Sequence, residues 1–415
     1  MFRPKYGFIF FISCNKIQKY TQIILYSAFF IFSSLGALFF MANNTTGRLI
    51  ASTSAESADL VYGTGFFAPD EFFYVEVDHK KYALVSVLEL ARAKEEMKPD
   101  VNVMEWTDVR SRFPKSGNPF LVDVSHYFGI EKWIVPQRFP LMYAEQLRGH
   151  GIAVEIVHGS FFPQRQVKSA AEVEMIRSAM KATEEAQRQI RSFIRESIVN
   201  SQGYLELNGN LLTCEWMRSE IEAEFKRKSF SATETIISCG PDSALPHCTG
   251  SGPVKAGSPV IADIFPRSDR NGYWGDMTRT YVKGKACQRL KDMHAVVLKV
   301  NLGVEAQLKP GVSCRKMQEY CINTIAEAGF KTGLDQDGIP CGFFHGLGHS
   351  VGLEIHEQPR FSLANPETLV PGNVITVEPG VYYHDIGGVR IEDTVLITEN
   401  GYENFCILPK DLEVP

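Results

Sequence analysis

Three histidines and two glutamates fall within the thirteen residues HGLGHSVGLEIHE, 345 to 357. His345 and His349 are four apart, a spacing that puts both imidazoles on one face of a helix. HExxH zinc proteases use that geometry, but here Gly346 rather than a glutamate follows the first histidine. Gly346, Gly348 and Gly352 also argue against a helix, since each costs roughly 1 kcal/mol in a helix interior. Taken alone, the segment reads either as metal binding or as a glycine-rich loop with scattered polar histidines.

Four acids elsewhere narrow the choice. Asp263 lies in VIADIF, Glu378 in VITVEP and Glu392 in VRIEDTVLI, all apolar and strand-like, while Asp276 lies in the more polar GYWGDMTRT. A buried carboxylate is costly unless it is paired, protonated or bound to a metal. A salt bridge would explain any one of them, and Arg279 and Arg390 could serve two, but not four. The interval from Asp263 to Glu378 is within one residue of that from Asp276 to Glu392, so two matching halves would each donate a pair. With one histidine added, such a set can hold two divalent ions about 3.5 to 4 Å apart. Oxygen-rich ligation with a single imidazole suits Mn²⁺, and Co²⁺ or Zn²⁺ less exclusively. Water shared by two such ions deprotonates near neutral pH and is a ready nucleophile.

Repeated elements would position these residues. Ser169 and Glu172 form a capping box before a long helix over 163–198, with Val173, Ile176 and Met180 on one stripe. A second helix is predicted over 213–228, then strands near ETIIS, SPVIADIF and GYWGDMTRTYV. The order recurs: a helix from about 288 to 308, a shorter one in SCRKMQEYCINTIAEAG, then strands near GNVITVEPG and GVRIEDTVLI. Upstream, FFYVEVD, YALVSVLE, PFLVDVS, KWIVPQ and IAVEIV read as strands, and ELARAKEEM and LMYAEQLRGH as helices. That region forms a smaller α/β domain over 42–162, opened by a flexible lead-in, ANNTTGRLIASTSAESAD. It contains no nucleophile or ligand cluster.

A net charge of −5 gives no support to nucleic-acid binding. Nine cysteines without a CxxC pair read as free thiols in a reducing compartment. Residues 1–41 form an apolar extension. The run from Ile23 to Met41 is uncharged, and Arg3, Lys5, Lys16 and Lys19 precede it. It reads either as a membrane anchor, which would place the rest outside the cytoplasm, or as a mis-assigned start with Met41 the true first residue. On the second reading the protein is cytoplasmic.

GDMTRTYV, HGLGHSVGLEIHE, VEPGVYY and GGVRIED, in this order, resemble the metallopeptidases of the pita-bread fold. The resemblance covers roughly residues 60 to 410. It implies an α+β architecture: a catalytic domain over 163–410 of duplicated helix-helix-strand halves with mostly antiparallel sheet, behind the smaller α/β domain. It implies five ligands for two divalent ions, Asp263, Asp276, His349, Glu378 and Glu392, with Asp276 and Glu392 bridging. It further implies that Glu378 shuttles a proton and that His356 donates to the carbonyl oxygen. His345 and His247 would stand on the substrate side. Arg390 would support the site or bind a substrate carboxylate. The activity implied is hydrolysis of the Xaa-Pro bond in dipeptides or at peptide N-termini, by a homodimer and through a metal-bridging hydroxide. Methionine aminopeptidase fits less well, because the additional α/β domain is similar to that of the proline-specific members. A creatinase-like branch lacks the ligands. A non-catalytic peptide- or protein-binding module is the alternative of a different class. The chain departs from the family pattern in three places. Ile264 and Phe265 follow Asp263, Gly275 precedes the second Asp, and Thr233-Glu234-Thr235 stands where Phe-Asp-Thr is common.

Overall fold

The computed structural model describes residues 45–415; the apolar run 23–41, with its two readings, lies outside them. Among the described residues no helix is long and apolar enough to cross a membrane. The chain divides into two compact units, one of residues 45–51, 72–91 and 100–157, the other of 52–71, 92–99 and 158–415.

The first unit is built on a six-stranded sheet. Its strands are β1 (Thr46–Ser52), β2 (Phe72–Val77), β3 (Lys80–Val85), β4 (Val101–Glu105), β5 (Lys132–Val135) and β6 (Ala153–Ile156), in the spatial order β4-β3-β2-β1-β5-β6. Two expectations fail here. The supposed flexible lead-in supplies β1, an inner strand that pairs in parallel with β5 and buries Leu49, Ile50 and Ala51. Three successive apolar residues were too short a signal beside the surrounding polar ones. PFLVDVS, expected as a strand, is helix α1 (Phe120–Phe128). An unbroken apolar run does not separate a buried strand from a buried helix. Pro119 stands at the helix start, and Gly129 ends it with φ 68°. Leu121, Val122 and Val124 join Leu147 of α2 (Leu141–Gly149), Phe73 and Trp133 in the core.

The second unit repeats itself. In the first half, α3 (Ala170–Glu196) and α4 (Cys214–Arg227) precede β7 (Ile236–Cys239), β8 (Val260–Ile264) and β9 (Met277–Lys283). In the second, α5 (Gln288–Glu305) and α6 (Cys314–Glu327) precede five strands of one antiparallel sheet. These are β10 (Gly348–Ser350), β11 (Glu357–Phe361), β12 (Val374–Val377), β15 (Asp393–Ile397) and β16 (Tyr402–Asn404), ordered β11-β10-β12-β15-β16. A hairpin of β13 (Gly380–Tyr383) and β14 (Gly387–Arg390) lies between β12 and β15 in sequence. Each helix pair covers the strands of its own half. Ile190, Ile194, Met217 and Ile221 pack with Val260, Ala262 and Ile264; Met293, Val297, Cys321 and Ile325 pack with Ile375, Val377 and Val395. The duplicated halves are therefore present. Ser169 and Glu172 make the reciprocal capping bonds of α3, and Val173, Ile176 and Met180 are buried beneath it.

Strand ends matter more than strand middles. The segment GVRIEDTVLI, expected as one strand, breaks at Ile391–Glu392 into β14 and β15. Likewise β9 begins one residue after Asp276, and β12 ends one residue before Glu378. Three of the four acids thus stand where ladder pairing lapses, which frees their side chains to turn toward a common point.

Candidate metal centre

The two halves meet at those strand ends. Asp276, His349 and Glu392 each present a donor atom, all within 4.8 Å of one another, and all three are buried. The Nε2 of His349 lies 3.7 Å from Asp276 Oδ2 and 3.1 Å from Glu378 Oε1. Asp263 joins from β8 through Arg390, whose guanidinium donates to Oδ2 at 2.6 Å. Its Oδ1 is buried without a hydrogen-bond partner. Three of the five expected ligands thus share one point, Glu378 adjoins them through His349, and Asp263 is linked through Arg390.

Their electrostatics show the strain of like charges. Burial raises the Asp276 carboxyl well above its ordinary range, and the carboxylates of Glu392, Asp263 and Glu378 raise it further. Glu392 is raised likewise, by burial and then by Glu378 and Asp263. Burial would also raise Glu378, but the bond to His349 and the nearby His345 and Arg390 bring it below its usual value. Crowded buried acids of this kind are relieved by a cation. The fit to a divalent metal rests on three features: converging carboxylates, one imidazole, and the unpartnered Asp263 Oδ1. Such a mixture of hard oxygens with one nitrogen is the donor chemistry of divalent first-row ions. The site binds divalent metal.

Hydroxyl groups hold the acids in place, and the pattern crosses between the halves. Thr278 Oγ1 donates to Glu392 Oε2 at 2.8 Å, while Thr394 Oγ1 donates to the Asp276 carbonyl at 2.7 Å. Each threonine lies two residues after one of these acids and bonds the other. Thr376 Oγ1 donates to Glu378 Oε1 at 3.2 Å and accepts from the His349 amide at 3.1 Å. The sequence reading missed these threonines, although the repeated acid-x-Thr of Asp276-Met277-Thr278 and Glu392-Asp393-Thr394 was there to find.

The remaining expected residues surround the cluster. His345 is half-buried, with Nε2 3.0 Å from Tyr382 Oη, and burial lowers its pKa. The same phenol accepts from Arg390 at 2.8 Å. Arg390 also donates to Thr278 Oγ1, so its guanidinium is engaged inside the protein. His356 is exposed, and its ring stands edge-on to His349 at 4.4 Å between centroids. Desolvation, then His349 and Arg360, holds its pKa down to about 4. His247 is exposed and lies near His345 and His356. A second residue missed from sequence is Arg360. It pairs across the ladder with His349, is exposed, and donates to the His356 carbonyl at 3.3 Å. The alternating burial of β11 directs Gln358 and Arg360 outward.

Comparison with known proteins places the chain in a family. The profile for metallopeptidase family M24 matches residues 174–399, and that for the creatinase/prolidase N-terminal domain matches 15–160. A Xaa-Pro dipeptidase of Pyrococcus horikoshii is 38% identical over 182 residues, which is 44% of this chain and 49% of that protein. An uncharacterized peptidase of Bacillus subtilis is 33% identical over 250 residues, 60% of this chain and 64% of the relative. The aligned part thus spans about half to two thirds of the length of these relatives. Among solved structures, the prolidase from Pyrococcus horikoshii superposes with a TM-score of 0.73 at 27% identity, covering 90% of this chain and 97% of that one. The prolidase from Pyrococcus furiosus gives 0.71 at 26%, covering 89% and 99%. With more than half of its length matched by the family profile and its duplicated halves converging on one acid-rich centre, the chain belongs to metallopeptidase family M24.

Proposed function

We propose that this protein hydrolyses the bond between an N-terminal residue and proline, in Xaa-Pro dipeptides or at the N-termini of longer peptides. The observation that carries the reading is the cluster of Asp263, Asp276, His349, Glu378 and Glu392 within a family M24 frame. Those residues would hold two divalent ions, and the excess of carboxylate oxygen favours Mn²⁺ over Co²⁺ or Zn²⁺. When bound, such ions polarise a carbonyl and lower the pKa of water toward neutrality.

The chain's own residues account for the rest. Glu378, kept ionised, takes the proton of the attacking water and delivers it to the departing nitrogen. The departing prolyl nitrogen takes up this proton to leave as a neutral secondary amine. His356, neutral at physiological pH, donates to the carbonyl oxygen as negative charge develops there. His345 is fixed by Tyr382, and together with His247 it borders the substrate side. Because Arg390 is engaged with Asp263, Tyr382 and Thr278, the exposed Arg360 is the better partner for a substrate carboxylate. A carboxylate immediately after proline describes a dipeptide. A homodimer in the cytoplasm belongs to the same reading.

The test is proline release from Xaa-Pro dipeptides and from Xaa-Pro-Yaa-Zaa peptides, with Mn²⁺ added and with EDTA. Mn²⁺-dependent cleavage, faster on the dipeptides, is the expected result. If the metal-loaded protein left both classes intact, the reading would give way to a non-catalytic binding module.

A further inference from the structure

Glu357 follows His356 directly and turns the other way. Its side chain is 5% exposed, whereas His356 is exposed. One carboxylate oxygen accepts from Arg165 and from the Glu354 amide at 3.1 Å. The other accepts from the Lys168 ammonium at 3.0 Å. Residues 352–356 are therefore wrapped around an internal anion. The wrapping is tight: a Cβ on Gly352 would stand 2.6 Å from the Glu357 carboxylate. Trp274, two residues before Asp276, holds the outer side of the turn, donating from its amide to the Gly352 carbonyl at 3.0 Å and from its indole to Leu353 at 3.1 Å.

Lys168 reaches a second place. Its ammonium, 1% exposed, also donates to Ser350 Oγ at 3.0 Å. Ser350 follows His349, as Glu357 follows His356. A single buried cation thus ties together the residues next to the two imidazoles whose rings stand 4.4 Å apart. Ser350 Oγ donates onward to the Val374 carbonyl at 2.6 Å, so Lys168 is anchored to the sheet that carries His349. The Lys168 backbone amide is itself fixed to the Gly372 carbonyl at 2.8 Å.

From this juxtaposition we infer that Lys168 and Glu357 are positioning residues for the reaction. They set where the His356 imidazole stands relative to the His349 side of the metal centre. They touch neither substrate nor metal, and the inference rests on the role given to His356 above. A displacement of about 1 Å in a reacting group costs on the order of 10²-fold in rate, so loss of the clamp is read chiefly in kcat.

Glu357→Gln removes the anion and keeps the shape. In the metal-loaded protein, it should lower kcat on an Xaa-Pro dipeptide about 10- to 100-fold while bound metal stays at the parental level. Introduced into a His356→Ala protein, the same change should alter kcat less than about twofold, since the imidazole it positions is gone. An equal loss in both backgrounds, or none in either, overturns the inference. Lys168→Met provides a second route to the same comparison should Glu357→Gln fold poorly. Amide hydrogen exchange of the peptide covering 350–357 is read in parallel and needs no turnover. It should quicken at least about tenfold in either variant, and unchanged exchange overturns the clamp. If the parent protein cleaves no Xaa-Pro substrate, the functional reading fails and the catalytic positioning role fails with it, whereas unchanged exchange in a cleaving parent overturns the clamp alone.

Discussion

Asp276 and Glu392 depend on each other's halves at the level of single atoms: the threonine beside each bonds the other. Both acids also belong to the three donors that lie within 4.8 Å of one another, so removing either should empty the centre rather than weaken it. Asp276→Ala is expected to lose bound metal and turnover together, measured by metal analysis and by proline release. Normal activity in that variant would remove Asp276 from the ligand set. His356→Ala is expected to retain metal and to lower kcat by about 10²-fold or more, in line with loss of one donor to a developing oxyanion. Asp263, Glu378 and Glu392 stood out in the sequence because carboxylates amid apolar residues require an explanation, Asp276 through the matching interval, and His349 only through the resemblance carried by HGLGHSVGLEIHE. The threonines left only a repeated acid-x-Thr in the sequence, and which acid each hydroxyl meets is shown only by the fold. Arg390 drew attention by its place in VRIED, yet its commitment to Asp263 and Tyr382 could be seen only once β8 and β13 were in position.

Behind Glu392, elements are joined by a second buried network. Arg279 on β9 donates to the Glu392 carbonyl at 2.7 Å and to Asp393 Oδ1 at 2.7 Å. Lys410 also pairs with Asp393. Burial would raise the Asp393 carboxyl, but Arg279, Glu305 and Lys410 hold it well below its ordinary range. A depressed carboxyl stabilises the fold above its unfolded pKa and loses that contribution as pH falls through the folded value. Asp393→Asn should thus cost about 3–5 kcal/mol at pH 7, measured by urea unfolding. The difference from the parent should persist down to about pH 4 and shrink only below it. A deficit that shrank between pH 7 and 5 would assign the effect to another group. At this scale the long amphipathic helices were legible and the short buried elements were not. Capping and stripe identified α3. For α1, an apolar run bounded by Pro119 and Gly129 fits helix and strand equally, and tertiary burial of Leu121, Val122 and Val124 decides between them.

Across the whole second unit, two apolar cores, one per half, meet at a centre whose acids repel each other. The duplication was legible from the nearly equal sequence intervals, because the acids repeat even where the surrounding residues do not. What the intervals could not show is that the halves meet through charge as well as through apolar contact, so that a bound cation should act as part of the fold. Any ligand that binds only the folded chain stabilises it, by about 2.7 kcal/mol at a hundred times its Kd. For a unit of this size, that is roughly 5 to 10 °C in Tm. The pH dependence follows from the raised carboxyls of Asp276 and Glu392. A group whose folded pKa is raised favours the fold at pH values below its unfolded pKa, and that advantage is lost as pH rises through the folded value. The metal-free protein should therefore lose stability as pH rises above about 4 to 4.5, while bound metal, which competes with protons for the same oxygens, holds better at higher pH. The fall in Tm on adding EDTA should accordingly be larger at pH 8 than at pH 5, in scanning calorimetry on the same sample. Equal falls at both pH values would mean that the stabilising cation does not compete with protons for these acids, and no fall at either would mean that the two halves need no metal to stay joined.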